Sequence, residues 1–158
     1  MTAEPIDYKN TINLPKTDFP MRAGLPNREP DWLERWEKIG IYKKLRQKTS
    51  RKPFILHDGP PYANGNLHIG HALNKILKDM VVRSQQMMGS DARYIPGWDC
   101  HGLPIELRAL QLAGAENAHA LPPLQIREQA AACAREAIDA QRASFVRWGI
   151  MADWDRPY

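Results

Sequence analysis

The stretch "PFILHDGPPYANGNLHIGHALNKILKD" (residues 53–79) contains three different patterns in succession. It begins with a short apolar run, which is typical of a buried strand. A loop rich in Pro, Gly and Asn follows. Apolar residues then recur at helical spacing, and Gly89 is placed to end the helix that they predict. The residues of this apolar stripe are Leu73, Ile76, Leu77, Met80 and Val81.

The same order of patterns recurs downstream. "ARYIPGWDCHG" (residues 92–102) predicts a second short strand that runs into a loop, and a helix is predicted over residues 104–112. A long helix rich in Ala, Arg, Glu and Gln is predicted over residues 124–148. A repeated order of strand, loop and helix is typical of the beginning of a parallel α/β sheet. Only about two strands are predicted here, whereas a doubly wound nucleotide-binding sheet usually has about five or six. The predicted fold class is therefore α/β, with residues 51–158 as the first, incomplete half of a doubly wound, Rossmann-like domain.

Residues 1–50 are predicted to form an extended arm and a helix. Residues 1–27 show no sustained period. Asn27 is the predicted N-cap of the helix, with Pro30 in its first turn and Gly40 at its end. An apolar stripe at helical spacing usually faces the core, so these side chains are expected to pack there: Trp32, Leu33, Trp36 and Ile39.

The composition is that of a globular protein. The chain has 158 residues, of which 43% are hydrophobic and 25% charged. No apolar run approaches the roughly 18 residues that a membrane span needs, and the polar start does not resemble a secretory signal. We therefore expect a cytoplasmic protein with no membrane partner.

Cysteine count and charge leave little to infer. Cys100 and Cys133 are too few for a disulfide framework, and no paired C-x-x-C indicates a structural zinc site. The net charge of +4 permits a polyanionic partner without requiring one. The basic stretch over residues 42–52 could contact phosphates or could be a solvated helix end.

The loop-to-helix junction is the predicted ligand site, because ligands of open α/β sheets bind at the carboxyl ends of the strands. A helix N-terminus suits phosphate, and His68 and His71 are neighbours on its first turn, about 5–6 Å apart at Cβ. Gly70 between them would let a flat ring approach the backbone. Two alternatives stay open: solvated surface histidines, and a metal pair, for which no third ligand lies at suitable spacing.

Several segments together carry a family resemblance. "HIGH" (residues 68–71) is the signature of class I aminoacyl-tRNA synthetases, and "GWDCHGLPIE" (residues 97–106) closely resembles their isoleucyl members. So do "NLPKTDFPMRAGLPNREP" (residues 13–30) and "WGIMADWDRPY" (residues 148–158). Valyl and leucyl members share H-x-G-H but differ around the proline pair and the Gly-Trp-Asp turn, and they remain as alternatives.

The resemblance implies a reaction and a nucleotide site. The whole enzyme would activate isoleucine with ATP and transfer it to tRNA(Ile), and the full-length family member would be a monomer. His68 and His71 would be the catalytic residues that donate to ATP phosphates, and Gly70 would make room for adenine. Mg²⁺ would arrive bound to ATP, and we assign no metal ligand in this chain.

The resemblance also implies an amino-acid site. Gly59 and Pro60 match positions that line the isoleucine side chain. Asp99 matches the aspartate that holds the α-ammonium group, as the attraction between a cationic amine and a carboxylate requires. The alternative for Asp99 is a turn-forming residue after Gly-Trp.

The chain departs from the family pattern in length. No K-M-S-K-S text occurs in it, nor do the editing insertion, the anticodon-binding helices or the zinc module of many bacterial members. We therefore expect an amino-terminal fragment that ends near the editing insertion, is inactive alone, and leaves the apolar face of its first long helix partly exposed. The rival hypotheses are a stand-alone nucleotide- or RNA-binding module and a metal-dependent hydrolase that uses both histidines.

Overall fold

The structure is a computed structural model that describes residues 8–13, 17–18, 20–47, 51–114 and 122–158. A short 3-10 helix at Tyr8–Thr11 precedes the main elements. Those are α1 (Leu25–Lys38), α2 (Ile41–Arg46), β1 (Pro53–Ile55), α3 (Ile69–Met87), β2 (Asp91–Arg93), α4 (Leu103–Leu112) and α5 (Pro123–Arg147). Within these described ranges, no helix is long and apolar enough to cross a membrane.

The two strands form a parallel sheet in which Phe54 lies opposite Ala92. Parallel neighbours require a crossover connection, and α3 supplies it, so the predicted strand–loop–helix–strand order is confirmed. Both strands are shorter than the apolar runs suggested. The backbone of β2 leaves the sheet after Arg93, since the Tyr94 carbonyl accepts from the Asp153 N–H at 3.1 Å instead of pairing with β1.

The start of α1 corrects the sequence prediction. Gly24, not Asn27, is the N-cap, and it has a left-handed backbone with φ 56°. Pro30 therefore lies inside the helix instead of in its first turn. Proline has no N–H to donate to the carbonyl four residues earlier, and that carbonyl, of Pro26, accepts from Arg147 Nη2 at 3.4 Å.

The apolar stripe of α1 was wrongly expected to lie in the core, since none of its residues is buried. Trp32 is 41% exposed and stacks with the Arg28 guanidinium, 5.0 Å from the ring centroid. Trp36 packs in the same way against Arg83, at 5.2 Å. Both indole rings thus lie at the periphery of the fold, where part of each ring face is covered by an arginine side chain in a cation–π contact.

In α3, the buried residues are mostly polar and the apolar residues are mostly exposed. Its buried residues are Lys75, Asp79, Val82 and Gln86. Its apolar stripe faces outwards, with Leu73 63%, Leu77 52% and Met80 58% exposed. The expected partial exposure of this stripe is thus observed, and the side of α3 that faces the core is largely polar.

The core lies between the sheet, α4 and α5. The ends of α4 and α5 agree with the sequence prediction to within one residue. An aromatic cluster closes the core, in which Phe145 stacks on Trp154 with ring centroids 5.8 Å apart and also lies 6.5 Å from Trp98. Because Trp98 is buried, the base of the loop after β2 is fixed to α5.

Candidate active site

Two loops meet beyond the carboxyl ends of the strands. We call residues 59–67 the proline loop and residues 97–102 the tryptophan loop. The Asp99 N–H donates to the Pro61 carbonyl at 2.9 Å, and the Ala63 N–H donates to the Asp99 carbonyl at 2.9 Å. Asp99 and Tyr62 thus form a single parallel bridge, which fixes the backbone of Asp99 against the proline loop.

The two histidines form the N-terminal cap of α3. The Gly70 N–H donates to His68 Nδ1 at 3.1 Å, and the His68 N–H donates to His71 Nδ1 at 3.3 Å. The arrangement is a capping box, a role that Ser or Thr with Glu or Gln usually fills. In the neutral form of each ring, Nδ1 accepts the backbone proton and the ring's own proton is on Nε2, where it is available as a donor.

The environment favours a neutral His71. Its pKa is lowered from the ordinary 6.5, first by burial and then by the positive charges of His68 and Lys75. The two imidazole centroids are 4.0 Å apart. A Cβ on Gly70 would lie 2.9 Å from His68 Cε1, so the missing side chain at Gly70 leaves room for the His68 ring itself.

A buried ion-pair network lies beneath the proline loop. Asp58 Oδ2 accepts from Lys75 at 2.5 Å and from the Tyr94 hydroxyl at 2.9 Å, while Lys78 pairs with Oδ1. Burial raises the pKa of Asp58, but hydrogen bonds and charge from the lysines and Tyr94 outweigh it and hold that pKa below its usual value. Lys75 also donates to the Gly59 carbonyl at 3.3 Å, which ties the start of the loop to α3.

A single amide joins both loops to α5. Gln141 accepts from Trp98 Nε1 at 2.9 Å and donates to the carbonyls of Tyr62 and Gly65 at 3.0 and 2.7 Å. The proline loop is thus held at its start by Lys75 and at its middle by Gln141.

The residues that the sequence predicted to bind substrates all lie beyond the carboxyl ends of the two strands. Gly59 and Pro60 are exposed at the start of the proline loop, Asp99 is half-buried, and the histidines follow the loop on α3. Both cysteines are free. Among the residues that the structure describes, no three potential metal ligands converge.

Sequence reasoning missed Asp58, Lys75 and Gln141. Two of them, Lys75 and Gln141, left a signal in the sequence. Lys75 lies four residues after His71 and shares its helix face. Gln141 is a polar residue at helical spacing within the buried stripe of α5, between Ala137 and Phe145.

The family is shown by a match to the model of the class I tRNA synthetases (I, L, M and V) over residues 31–158. The chain belongs to this family. It is 60% identical over 159 residues to the isoleucine--tRNA ligase of Ruegeria pomeroyi, a match that covers 99% of this chain and 16% of the relative. The isoleucine--tRNA ligase of Shewanella sp. (strain ANA-3) is 56% identical over 153 residues, again over 16% of its length.

A solved structure supports the fold. LeuRS of Agrobacterium radiobacter K84, in a ternary complex with tRNA and LeuAMS, superposes with a TM-score of 0.63 at 25% identity over 84% of this chain and 15% of that one. The helices and small parallel sheet are those of an incomplete Rossmann-like domain, as the sequence predicted. The chain spans about a sixth of the length of the isoleucine--tRNA ligases it matches, 16% in each case.

Proposed function

We propose that this chain forms the ATP- and isoleucine-facing segment of an isoleucine--tRNA ligase. The observation that carries the proposal is the histidine capping box at the start of α3, which turns both Nδ1 atoms to the backbone. It leaves two Nε2–H donors beside the loop that the sequence assigns to the substrates. The choice of isoleucine rests on the names of the similar ligases.

The first reaction is formation of an adenylate. A carboxylate oxygen of isoleucine attacks the α-phosphorus of ATP, and the bond from that phosphorus to the pyrophosphate oxygen breaks. This displacement requires no protein nucleophile, so the protein acts by positioning and charge stabilisation. The N–H groups of Gly70 and His71 are already bonded within the helix cap, so the imidazole Nε2–H groups are the side-chain donors that this helix end offers to phosphate. Mg²⁺ arrives bound to the ATP.

The amino acid binds between the loops. The Asp99 carboxylate takes the α-ammonium group, while Gly59 and Pro60 form one wall for the side chain. Two backbone hydrogen bonds at 2.9 Å fix Asp99 against the proline loop, so the charge that holds the amine has a set distance from that wall. Such fixed geometry is what orientation of the carboxylate towards ATP requires.

The remaining assignments concern the whole enzyme. The isoleucyl group would pass from the adenylate to the terminal ribose of tRNA(Ile), with AMP as leaving group. We assign residues 51–158 to the first half of the catalytic domain, and residues 1–50 to an amino-terminal region in front of it that contains α1 and α2. Binding of tRNA lies mostly, and editing and any zinc wholly, with regions outside this sequence, in a cytoplasmic and monomeric enzyme.

Pyrophosphate exchange tests the proposal. Residues 1–158 are substituted for the matching segment of the Ruegeria pomeroyi ligase, and we call the product the joined enzyme. We expect it to show isoleucine-dependent exchange of pyrophosphate into ATP, with the parent ligase as positive control and the parent without its amino-terminal segment as negative control. A folded joined enzyme without exchange would contradict the proposal.

A further inference from the structure

We propose that Gln141 is a positioning residue that holds the proline loop and the tryptophan loop in register for adenylate formation. The proposal rests on the proposed function, because these loops are assigned to the substrates there. Gln141 lies on α5, and neither the residue nor this helix contributes a reacting group in the proposed mechanism.

Every polar atom of the buried Gln141 side chain has a hydrogen-bond partner. The residue is 2% exposed. Its Oε1 accepts from the Trp98 indole at 2.9 Å, and its two amide protons go to Tyr62 O at 3.0 Å and Gly65 O at 2.7 Å. The donor and acceptors come from segments 43 to 79 residues away in sequence, so one side chain closes both loops onto one helix.

The chemistry of this position calls for a primary amide. Two carbonyl acceptors and one N–H donor need a group with two donors and one acceptor, which only Asn and Gln supply. A carboxylate would place negative charge against the carbonyls of Tyr62 and Gly65. A methionine would fill the volume but leave the buried Trp98 N–H and the part-buried carbonyls of Tyr62 and Gly65 without this partner.

The contacts sit between the groups that must be aligned. Tyr62 and Gly65 lie along the chain between the Pro60 wall and His68, and Trp98 directly precedes Asp99. Gln141 is itself held by the core, because Ala137 and Phe145 one turn away on either side are buried. Loss of its bonds would let Asp99 shift relative to the histidines, and a misplacement of about 1 Å can lower a rate by about 10²-fold.

The test uses two substitutions in the joined enzyme. Gln141→Met removes all three bonds, and Gln141→Glu keeps the length and the acceptor but removes the donors. Gln125→Met is the matched control, since Gln125 is exposed on the same helix. Isoleucine-dependent exchange is measured per active site, well below the unfolding temperature, together with the dissociation constant of ATP in the absence of isoleucine.

We expect both Gln141 variants to raise the isoleucine KM and to lower kcat, together by about 10²-fold in kcat/KM, with ATP binding nearly unchanged. Trp98→Phe removes the indole donor but keeps a ring, so its effect should be non-additive with that of Gln141→Met. Gln125→Met should match the wild type.

Two outcomes would overturn the inference. One is a lower unfolding temperature with unchanged isoleucine KM and kcat per active site, which is the signature of a purely structural residue. The other is additivity of Gln141→Met and Trp98→Phe. Either result, obtained with an active joined enzyme, leaves the proposed function standing, whereas absence of exchange in the joined enzyme itself contradicts the proposed function and this inference with it.

Discussion

The carboxylate of Asp58 lies 2.5 Å from the ammonium group of Lys75, and their side chains are only 3% and 5% exposed. Asp58 follows β1, whereas Lys75 lies one turn after His71 on α3. The pair therefore connects the strand end from which the proline loop departs to the helix that carries the histidines. The relation between the two proposed substrate sites depends on this buried contact.

Removal of the Lys75 charge is expected to destabilise the fold strongly. In Lys75→Met, the buried Asp58 carboxylate loses one of its two lysines, and breaking a buried pair costs about 3–5 kcal/mol. Lys38→Met is the matched control, because the Lys38–Glu34 pair is exposed and such pairs contribute about 0–1 kcal/mol. Urea unfolding of the 158-residue chain, followed by circular dichroism, measures both. Superimposable curves for Lys75→Met and the wild type would refute the prediction.

His71 is expected to titrate below its ordinary pKa of 6.5. A histidine with a lowered pKa contributes stability that is fully present above 6.5 and is lost as the pH falls through the folded pKa. The start of α3 should therefore fray on acidification. Proton NMR of the imidazole in the isolated chain gives the midpoint, and His68→Asn, which removes a neighbouring charge but keeps a capping group, should raise it. A midpoint at or above 6.5 would show that burial does not act as described.

Asp99→Asn in the joined enzyme should impair capture of the amino acid. The substitution keeps the shape of the side chain and removes the charge that would pair with the α-ammonium group, so the isoleucine KM should rise by about 10²-fold, equivalent to the roughly 3 kcal/mol of a lost buried charge pair. ATP binding should persist. Asp155→Asn, at an exposed position, is the control. An unchanged isoleucine KM would mean that Asp99 only shapes its turn.

The apolar face of α3 should make the isolated chain prone to association. Leu77 is 52% exposed and lies beside other exposed apolar side chains, and we expect the rest of the catalytic domain to cover this face in a whole enzyme. Leu77→Gln should thus reduce aggregation of the isolated chain, yet lower the unfolding temperature of the joined enzyme. Leu124→Gln, at another exposed leucine, is the control. Light scattering and thermal unfolding measure the two effects, and equal behaviour of the two variants in both proteins would contradict this account.

The sequence predicted those secondary-structure elements well whose ends are set by neighbouring residues. The ends of α4 and α5 follow from proline and from helix-forming composition. The buried face of α3 could not be predicted from hydrophobicity, because Asp79 is held there by the Met151 N–H, which is 72 residues away in sequence, as well as by Arg83 on the same helix. The start of α1 was missed because a left-handed glycine cap at Gly24 has no side-chain signal.

In the candidate site, too, local signals were predictable from the sequence and long-range contacts were not. His68 and His71 stood out by their motif, and Asp99 by its turn. The capping role of the imidazoles, however, depends on ring orientations that spacing does not specify. The contacts of Gln141 depend on loops more than 40 residues away, at Trp98 and Tyr62, and only the folded chain brings them together.

The isoleucine-dependent exchange rate of two histidine variants in the joined enzyme tests the central claim most directly. His68→Asn and His71→Gln retain residues that favour the N-cap and N3 positions, so α3 should start normally while the imidazole Nε2–H donors are lost. His57→Gln, at an exposed histidine, serves as control. We predict a fall of about 10²-fold or more in each variant, the scale for one preorganised donor, with nearly unchanged isoleucine binding and a normal rate for His57→Gln. Exchange at the wild-type rate in either variant would contradict the assignment of these histidines to the ATP phosphates.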